Sequence, residues 1–115
     1  MRLLVYGTLK KGHGNNRLLS GSKLVHSGEF EIKGCQLKAA ENSAFPYLYK
    51  KFNQKSFPFK GEIYEIDKHT LAYTDSLEGH PSFYTREYNE EYDCYVYVYK
   101  HQEVETLDTI YTFLR

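Results

Sequence analysis

Two acidic residues three apart, Asp75 and Glu78, stand just ahead of Gly79-His80-Pro81. On a helix that spacing puts both carboxylates on one face. A carboxylate in the last turn meets the negative end of the macrodipole, which raises its pKa, and partial burial raises it further. Such tuning suits a base that works near neutral pH, so Glu78 is a candidate for proton transfer. The alternative is that both acids are solvated on an exposed helix face. His80 offers a base or a ligand, or else an ordinary loop side chain, and no partner at ligand spacing accompanies it. Downstream, Phe83-Tyr84-Thr85-Arg86 alternates so that Tyr84 and Arg86 share a strand face. Arg86 either clamps a substrate carboxylate or pairs with Asp75 or Glu78 and ties helix to sheet; the structural role is favoured.

A second candidate is Tyr6-Gly7-Thr8-Leu9. A strand that ends in glycine turns sharply, and successive N–H groups after the turn can converge on an anion. Lys10 and Lys11 would add a favourable field for a carboxylate. Gly7 equally reads as a plain strand end with two solvated lysines behind it.

The elements that must position these groups are short. Leu3 to Tyr6 reads as a buried strand broken at Gly7. Asn15 or Asn16 caps a short helix carrying Leu18 and Leu19. Lys23 to Ala39 reads as a hairpin with Gly28 and Gly34 as bends or bulges, and Phe57 to Ile66 as an alternating strand. Asp67 caps a helix over about residues 68–79, stopped at Gly79 before Pro81. Strands follow over about 83–91 and 93–100. In the latter, Cys94, Val96 and Val98 take one face and Tyr95, Tyr97 and Tyr99 the other, where the tyrosines offer an interface. The segment from Leu107 to Leu114 fits helix and strand equally. The expected fold is one α+β domain over residues 1–115: a small mixed, partly closed β-barrel of five to six strands, with one main helix and short flanking helices.

Composition removes several classes. Lys+Arg and Asp+Glu both number 15, so the basic surplus of a general nucleic-acid binder is missing, although 12 Tyr and 7 Phe would suit base stacking. Cys35 and Cys94 form no CxxC, which speaks against a zinc site and a disulfide framework. No apolar run approaches the roughly 20 residues that span a bilayer, and no leader pattern opens the chain. A soluble cytoplasmic protein without nucleic-acid or membrane partners is expected, as monomer or homodimer.

Taken together, these blocks resemble the γ-glutamylcyclotransferase-like family, in particular its small branch of γ-glutamylamine cyclotransferases. The resemblance rests on Val5-Tyr6-Gly7-Thr8-Leu9-Lys10-Lys11-Gly12, the asparagines and Leu18-Leu19 after it, Phe45-Pro46-Tyr47, and Lys60-Gly61-Glu62-Ile63-Tyr64-Glu65-Ile66. It rests also on Asp75-x-Leu77-Glu78-Gly79-x-Pro81-x-x-Tyr84-x-Arg86 and the closing Tyr95-Val96-Tyr97-Val98. Thr74 departs from the apolar residue usual there, and the chain lacks C-terminal elaboration. The resemblance implies that Glu78 is the acid/base, that Tyr6, Gly7, Thr8 and Leu9 bind substrate mostly through backbone groups, and that Tyr84 lines the pocket. It implies a small-molecule γ-glutamyl substrate whose α-amine closes on its own γ-carbonyl to give 5-oxoproline, with no metal or organic cofactor. Two rivals keep the same pocket: a non-catalytic metabolite binder, and an enzyme that removes a γ-glutamyl protecting group from a biosynthetic intermediate.

Overall fold

A computed structural model of the chain describes residues 1–7, 9–40, 47–100 and 107–109. Its strands are β1 (Arg2–Val5), β2 (Lys23–Phe30), β3 (Cys35–Ala40), β4 (Tyr47–Lys50), β5 (Phe59–Glu65), β6 (Thr85–Asn89), β7 (Cys94–Val98) and β8 (Leu107–Thr109). Helix α1 (Lys68–Glu78) lies between β5 and β6, and a 3-10 turn spans Asn16–Leu19. Among the described residues no helix is long and apolar enough to cross a membrane.

The α+β class holds, but the barrel does not. The strands form an open five-stranded sheet, β2-β5-β1-β7-β6, and a separate three-stranded sheet, β4-β3-β8. The hairpin expected over Lys23 to Ala39 is not one either, because β2 pairs with β5 whereas β3 pairs with β4. Between β2 and β3 the Cys35 amide donates to the Ile32 carbonyl at 2.9 Å, and Gly34 takes φ 77°, so the chain turns out of one sheet into the other. Gly28 does not bend β2; it pairs in register with Gly61, and the irregularity falls between Leu24 and His26. The segment at 107–109, which fits helix or strand in the sequence, is a strand on β3.

The two sheets meet where β1 leaves off. Alternate residues of a strand point their N–H and C=O groups to the same side. The Tyr97 carbonyl of β7 accepts from the Tyr6 hydroxyl at 2.6 Å. Two residues on, Tyr99 uses that side for β4, donating to Leu48 O at 2.9 Å and accepting from Lys50 N at 3.0 Å. One short parallel bridge thus stands where a barrel would need a full ladder.

At the centre of the large sheet both faces are covered, and β1 and β7 are apolar and buried on both sides. Leu4, Ile63, Val96 and Val98 pack toward Cys35, Leu37 and Leu48 of the small sheet. Leu3, Val5, Tyr64 and Tyr97 face the other way, toward Leu19 of the 3-10 turn and Leu71 of α1. Of the tyrosines on that side of β7, Tyr97 is buried under α1, where its hydroxyl meets the Thr74 hydroxyl at 2.8 Å, while Tyr95 and Tyr99 are partly exposed.

Helix α1 forms for local reasons. The Asp67 carboxylate accepts from the Thr70 amide at 2.7 Å, which caps the N-terminus. At the other end Gly79 adopts φ 66°, its amide donates to Ser76 O, and the His80 amide reaches back to Asp75 O at 3.0 Å. That pair of bonds is a Schellman stop, and the left-handed residue favours glycine.

Gly61 marks the tightest approach in the large sheet. A Cβ there would lie 2.8 Å from Leu4 Cδ1, 3.0 Å from Val5 O and 3.2 Å from Phe30 Cδ2. Gly61→Ala is expected to lower unfolding free energy by about 1–3 kcal/mol, the usual range for overpacking. Thermal or denaturant unfolding reads this; an unchanged midpoint would mean that β5 shifts at no cost.

Candidate active site

Glu78 is the last residue of α1, and the Schellman stop decides where it points. Its backbone carbonyl accepts from the Tyr84 amide at 3.2 Å, while Phe83 N bonds Gly79 O at 2.8 Å. The loop of residues 79–84 is thus folded back against the helix end. This brings Tyr84 beside Glu78, at one side of a cavity of about 330 Å³.

Residues from β1 and the segment after it, Val5, Tyr6, Gly7, Leu9 and Asn15, form one wall of that cavity. Tyr47 of β4, Phe83 and Tyr84 form another, with Leu77 and Glu78 from the helix between. The lining is mostly aromatic and aliphatic. Among the described lining residues Glu78 is the one acidic side chain, and none of them is a lysine, arginine or histidine.

Burial is the cause of Glu78's unusual acidity: it pushes the carboxyl up from the ordinary range to about 7. Among the described residues no hydrogen bond or ion pair offsets that desolvation. Burial also raises the Tyr84 and Tyr6 hydroxyls well above the usual phenol range, and the nearby Glu78 charge adds to both. The Tyr6 hydroxyl is already committed to the Tyr97 carbonyl, so Tyr6 contributes its ring rather than a free donor.

Asp75, three residues before, has the opposite fate. Its carboxylate accepts from Arg86 Nε at 2.9 Å, from Arg86 Nη2 at 3.2 Å and from the Tyr97 hydroxyl at 2.6 Å. Burial alone would raise its pKa, but these donors outweigh burial and hold it below the ordinary carboxylate range. Arg86 also stacks over the Tyr95 ring, 4.9 Å from its centroid. It joins helix to sheet and does not line the cavity. His80 belongs to the same joint: its Nδ1 accepts from the Arg86 amide at 2.9 Å. No group of three or more potential metal ligands occurs among the described residues.

The segment after β1 behaves differently from the sequence expectation. Gly7 and Leu9 line the cavity, and Thr8, together with Phe45 and Pro46, lies outside the described residues. Lys10 and Lys11 do not reach the cavity. The Lys10 amide closes a turn onto Gly7 O at 3.0 Å, and the Lys11 amide donates to Glu62 Oε1 at 2.7 Å. Their side chains border a separate depression beside Glu62. The Asn16 side chain fastens this segment, donating to Leu9 O at 2.8 Å and to the Tyr64 hydroxyl at 3.3 Å.

Asn15, Leu77 and Phe83 carry no chemical signature in the sequence and enter the site only through the fold. Tyr47 and Tyr97 were visible there as aromatic positions, without a sign that they converge on Glu78.

The family model described as gamma-glutamyl cyclotransferase, AIG2-like, matches residues 3–112. The chain is 38% identical over 85 residues to a Methanocaldococcus jannaschii protein provisionally named a gamma-glutamylcyclotransferase, over 73% of this chain and 66% of that one. It is 33% identical over 90 residues to the gamma-glutamylaminecyclotransferase of Rattus norvegicus, over 73% of this chain and 58% of the rat protein. Both matches thus span less than two thirds of the relative's length. The fold is similar to the crystal structure of an AIG2-like protein from Mus musculus, with TM-score 0.68 and 26% identity, covering 97% of this chain and 86% of that one.

A buried acid without compensation costs stability. Because Glu78 binds its proton more tightly when folded, its burden is absent below its unfolded pKa, grows as pH rises toward 7, and is complete above that. Glu78→Gln is therefore expected to leave stability at pH 4 nearly unchanged and to raise it at pH 8 by about 1–3 kcal/mol. Unfolding curves at both pH values read this, and a variant less stable than wild type at pH 8 would contradict the burial argument.

Proposed function

The chain belongs to the gamma-glutamyl cyclotransferase, AIG2-like family, and from that membership and the setting of Glu78 we propose that it converts γ-glutamyl compounds to 5-oxoproline and a free amine or amino acid. The observation that carries this reading is a single carboxyl, held at about 7 by burial, in a cavity of about 330 Å³ without a competing charged side chain among its described lining.

A γ-glutamyl amide contains both nucleophile and electrophile, so the enzyme's task is to fold the substrate and move protons. The α-ammonium gives a proton to the Glu78 carboxylate, and the freed nitrogen bonds to the γ-carbon. The carbonyl π electrons move to oxygen. Glu78 then passes its proton to the amide nitrogen as that C–N bond breaks and the carbonyl re-forms. The ring nitrogen's surplus proton follows the same route and leaves on the expelled amine, which departs as ammonium. A pKa near 7 lets one group accept and then return a proton with little driving force lost either way. Holding the chain in the folded conformer supplies several kcal/mol more. Backbone N–H groups of residues 7–9 are assigned to the substrate α-carboxylate, since those of Lys10 and Lys11 are engaged elsewhere.

The test is 5-oxoproline release, read by mass spectrometry, from γ-glutamyl amino acids, γ-glutamyl amines and γ-glutamyl-ε-lysine. Wild type is expected to release product from at least one member, and Glu78→Gln to lose turnover by about 10²-fold or more. Near-wild-type turnover in that variant would remove Glu78 from the mechanism. In wild type kcat/KM is expected to fall about tenfold per pH unit below roughly 7, because the base must be ionised; a flat profile from pH 5 to 8 would contradict the assignment. Gly7→Val puts a branched side chain at the loop's approach to substrate, and KM should rise by about tenfold or more. An unchanged KM would take the loop out of substrate binding.

A further inference from the structure

The segment after β1 borders two hollows. Gly7 and Leu9 line the Glu78 cavity, while Lys10, Lys11 and His13 line a depression of about 260 Å³ over β2 and β5. Alternation along β5 turns Lys60 and Glu62 to one side of the sheet, and in register on β2 Ser27 stands opposite Glu62. Gly28 and Gly61 pair between Ser27–Glu62 and Glu29–Lys60 and complete the floor. Glu29 is not part of the lining. Lys10 is a built part of this wall, since only 7% of it is exposed.

The charges of this depression do not balance. Among the described lining residues three lysines, Lys10, Lys11 and Lys60, stand against one carboxylate, Glu62, which leaves two positive charges in excess. Glu62 is itself engaged: its Oε1 accepts from the Lys11 amide at 2.7 Å and from the Tyr64 hydroxyl at 3.0 Å. Burial holds the Lys10 amine below the ordinary lysine range; the Glu62 charge opposes this, and the like charge of Lys60 adds to it. A buried cation beside a like charge is a cost that a bound anion relieves. In the depression lined by Lys33, Lys50, Lys51 and Lys100 the protein supplies its own counter-charge, because Lys50 and Lys100 both donate to Glu87. A phosphoryl group brings roughly two negative charges near neutral pH, and its oxygens accept from several donors at once. Ser27 and His13 add further polar groups to the lining.

We infer that the depression between Lys10, Lys11 and Lys60 is a second binding site, separate from the Glu78 cavity, and that it takes a phosphoryl dianion. The test is calorimetric titration of the whole chain with inorganic phosphate and with phenyl phosphate, at constant ionic strength and about pH 8, where both probes are close to doubly charged. Saturable binding with a Kd of about 1 mM or tighter is expected for at least one probe. Binding of both assigns the site to the shared phosphoryl group, and binding of one alone names free phosphate or a phosphomonoester as its ligand. Failure of both to bind at about 10 mM would overturn the inference. Lys60→Gln is expected to weaken binding by about tenfold or more, and Lys10→Met to abolish it. Lys10→Met also removes a buried contact, so the double variant Lys11→Gln, Lys60→Gln, at two exposed residues, decides the matter if that protein does not fold. Lys33→Gln, in the other lysine-bearing depression, should leave binding unchanged. Equal losses in Lys33→Gln and Lys60→Gln would reduce the effect to general screening of surface charge and sink the site.

Discussion

The Asp75 carboxylate accepts two hydrogen bonds from the Arg86 guanidinium and one from the Tyr97 hydroxyl, and through them α1 is locked to β6 and β7. Successive residues of an α-helix turn by about 100°, so three residues on from Asp75 the side chain points only about 60° away. Anchoring Asp75 therefore aims Glu78. The Schellman stop at Gly79 fixes the helix end, and His80 bonds the Arg86 amide, so the joint is tied from both the helix and the loop after it. Breaking one partner of this half-buried pair would leave an uncompensated charge and free the helix to rotate.

Two carboxylates one helical turn apart are thus driven in opposite directions by their surroundings. Asp75 receives donors that outweigh its burial and stays ionised. Glu78 receives none among the described residues and is raised to about 7. Under the proposed function, the contrast divides labour between a structural anion and a proton carrier. It would also place the cost of that proposed function in one residue, because an uncompensated buried acid opposes folding while its raised pKa suits a base.

The sheet arrangement explains why the cavity exists where it does. β1 lies next to β7 in parallel and ends early; beyond it the Tyr6 hydroxyl and then β4 take over the edge of β7. The place where one strand leaves and another arrives is a gap between layers. The helix end covers it with Glu78 and the loop before β6 covers it with Phe83 and Tyr84. A closed barrel would have filled this gap with ladder hydrogen bonds.

How far the sequence reaches follows from the range of each interaction. Asp67 as cap, Gly79 as stop and the alternation of Cys94, Val96 and Val98 are set by residues within a few positions, and they were legible. So was Glu78 as the acid at the end of a helix. Strand partners were not: β2 and β3 look like a hairpin locally, yet each finds its mate elsewhere, and the expected barrel opens into two sheets. The engagement of the Lys10 and Lys11 amides, the covering of Tyr97 and the convergence of Tyr47 and Phe83 on Glu78 depend on contacts such as Tyr6 with Tyr97, 91 residues apart. Which residue types are present, and their local helix and strand periods, were determined by the sequence itself. Desolvation was not, because it sums over every atom that the fold brings near, and so only the tertiary structure decided that Glu78 would be the raised carboxyl and Asp75 the anchored one.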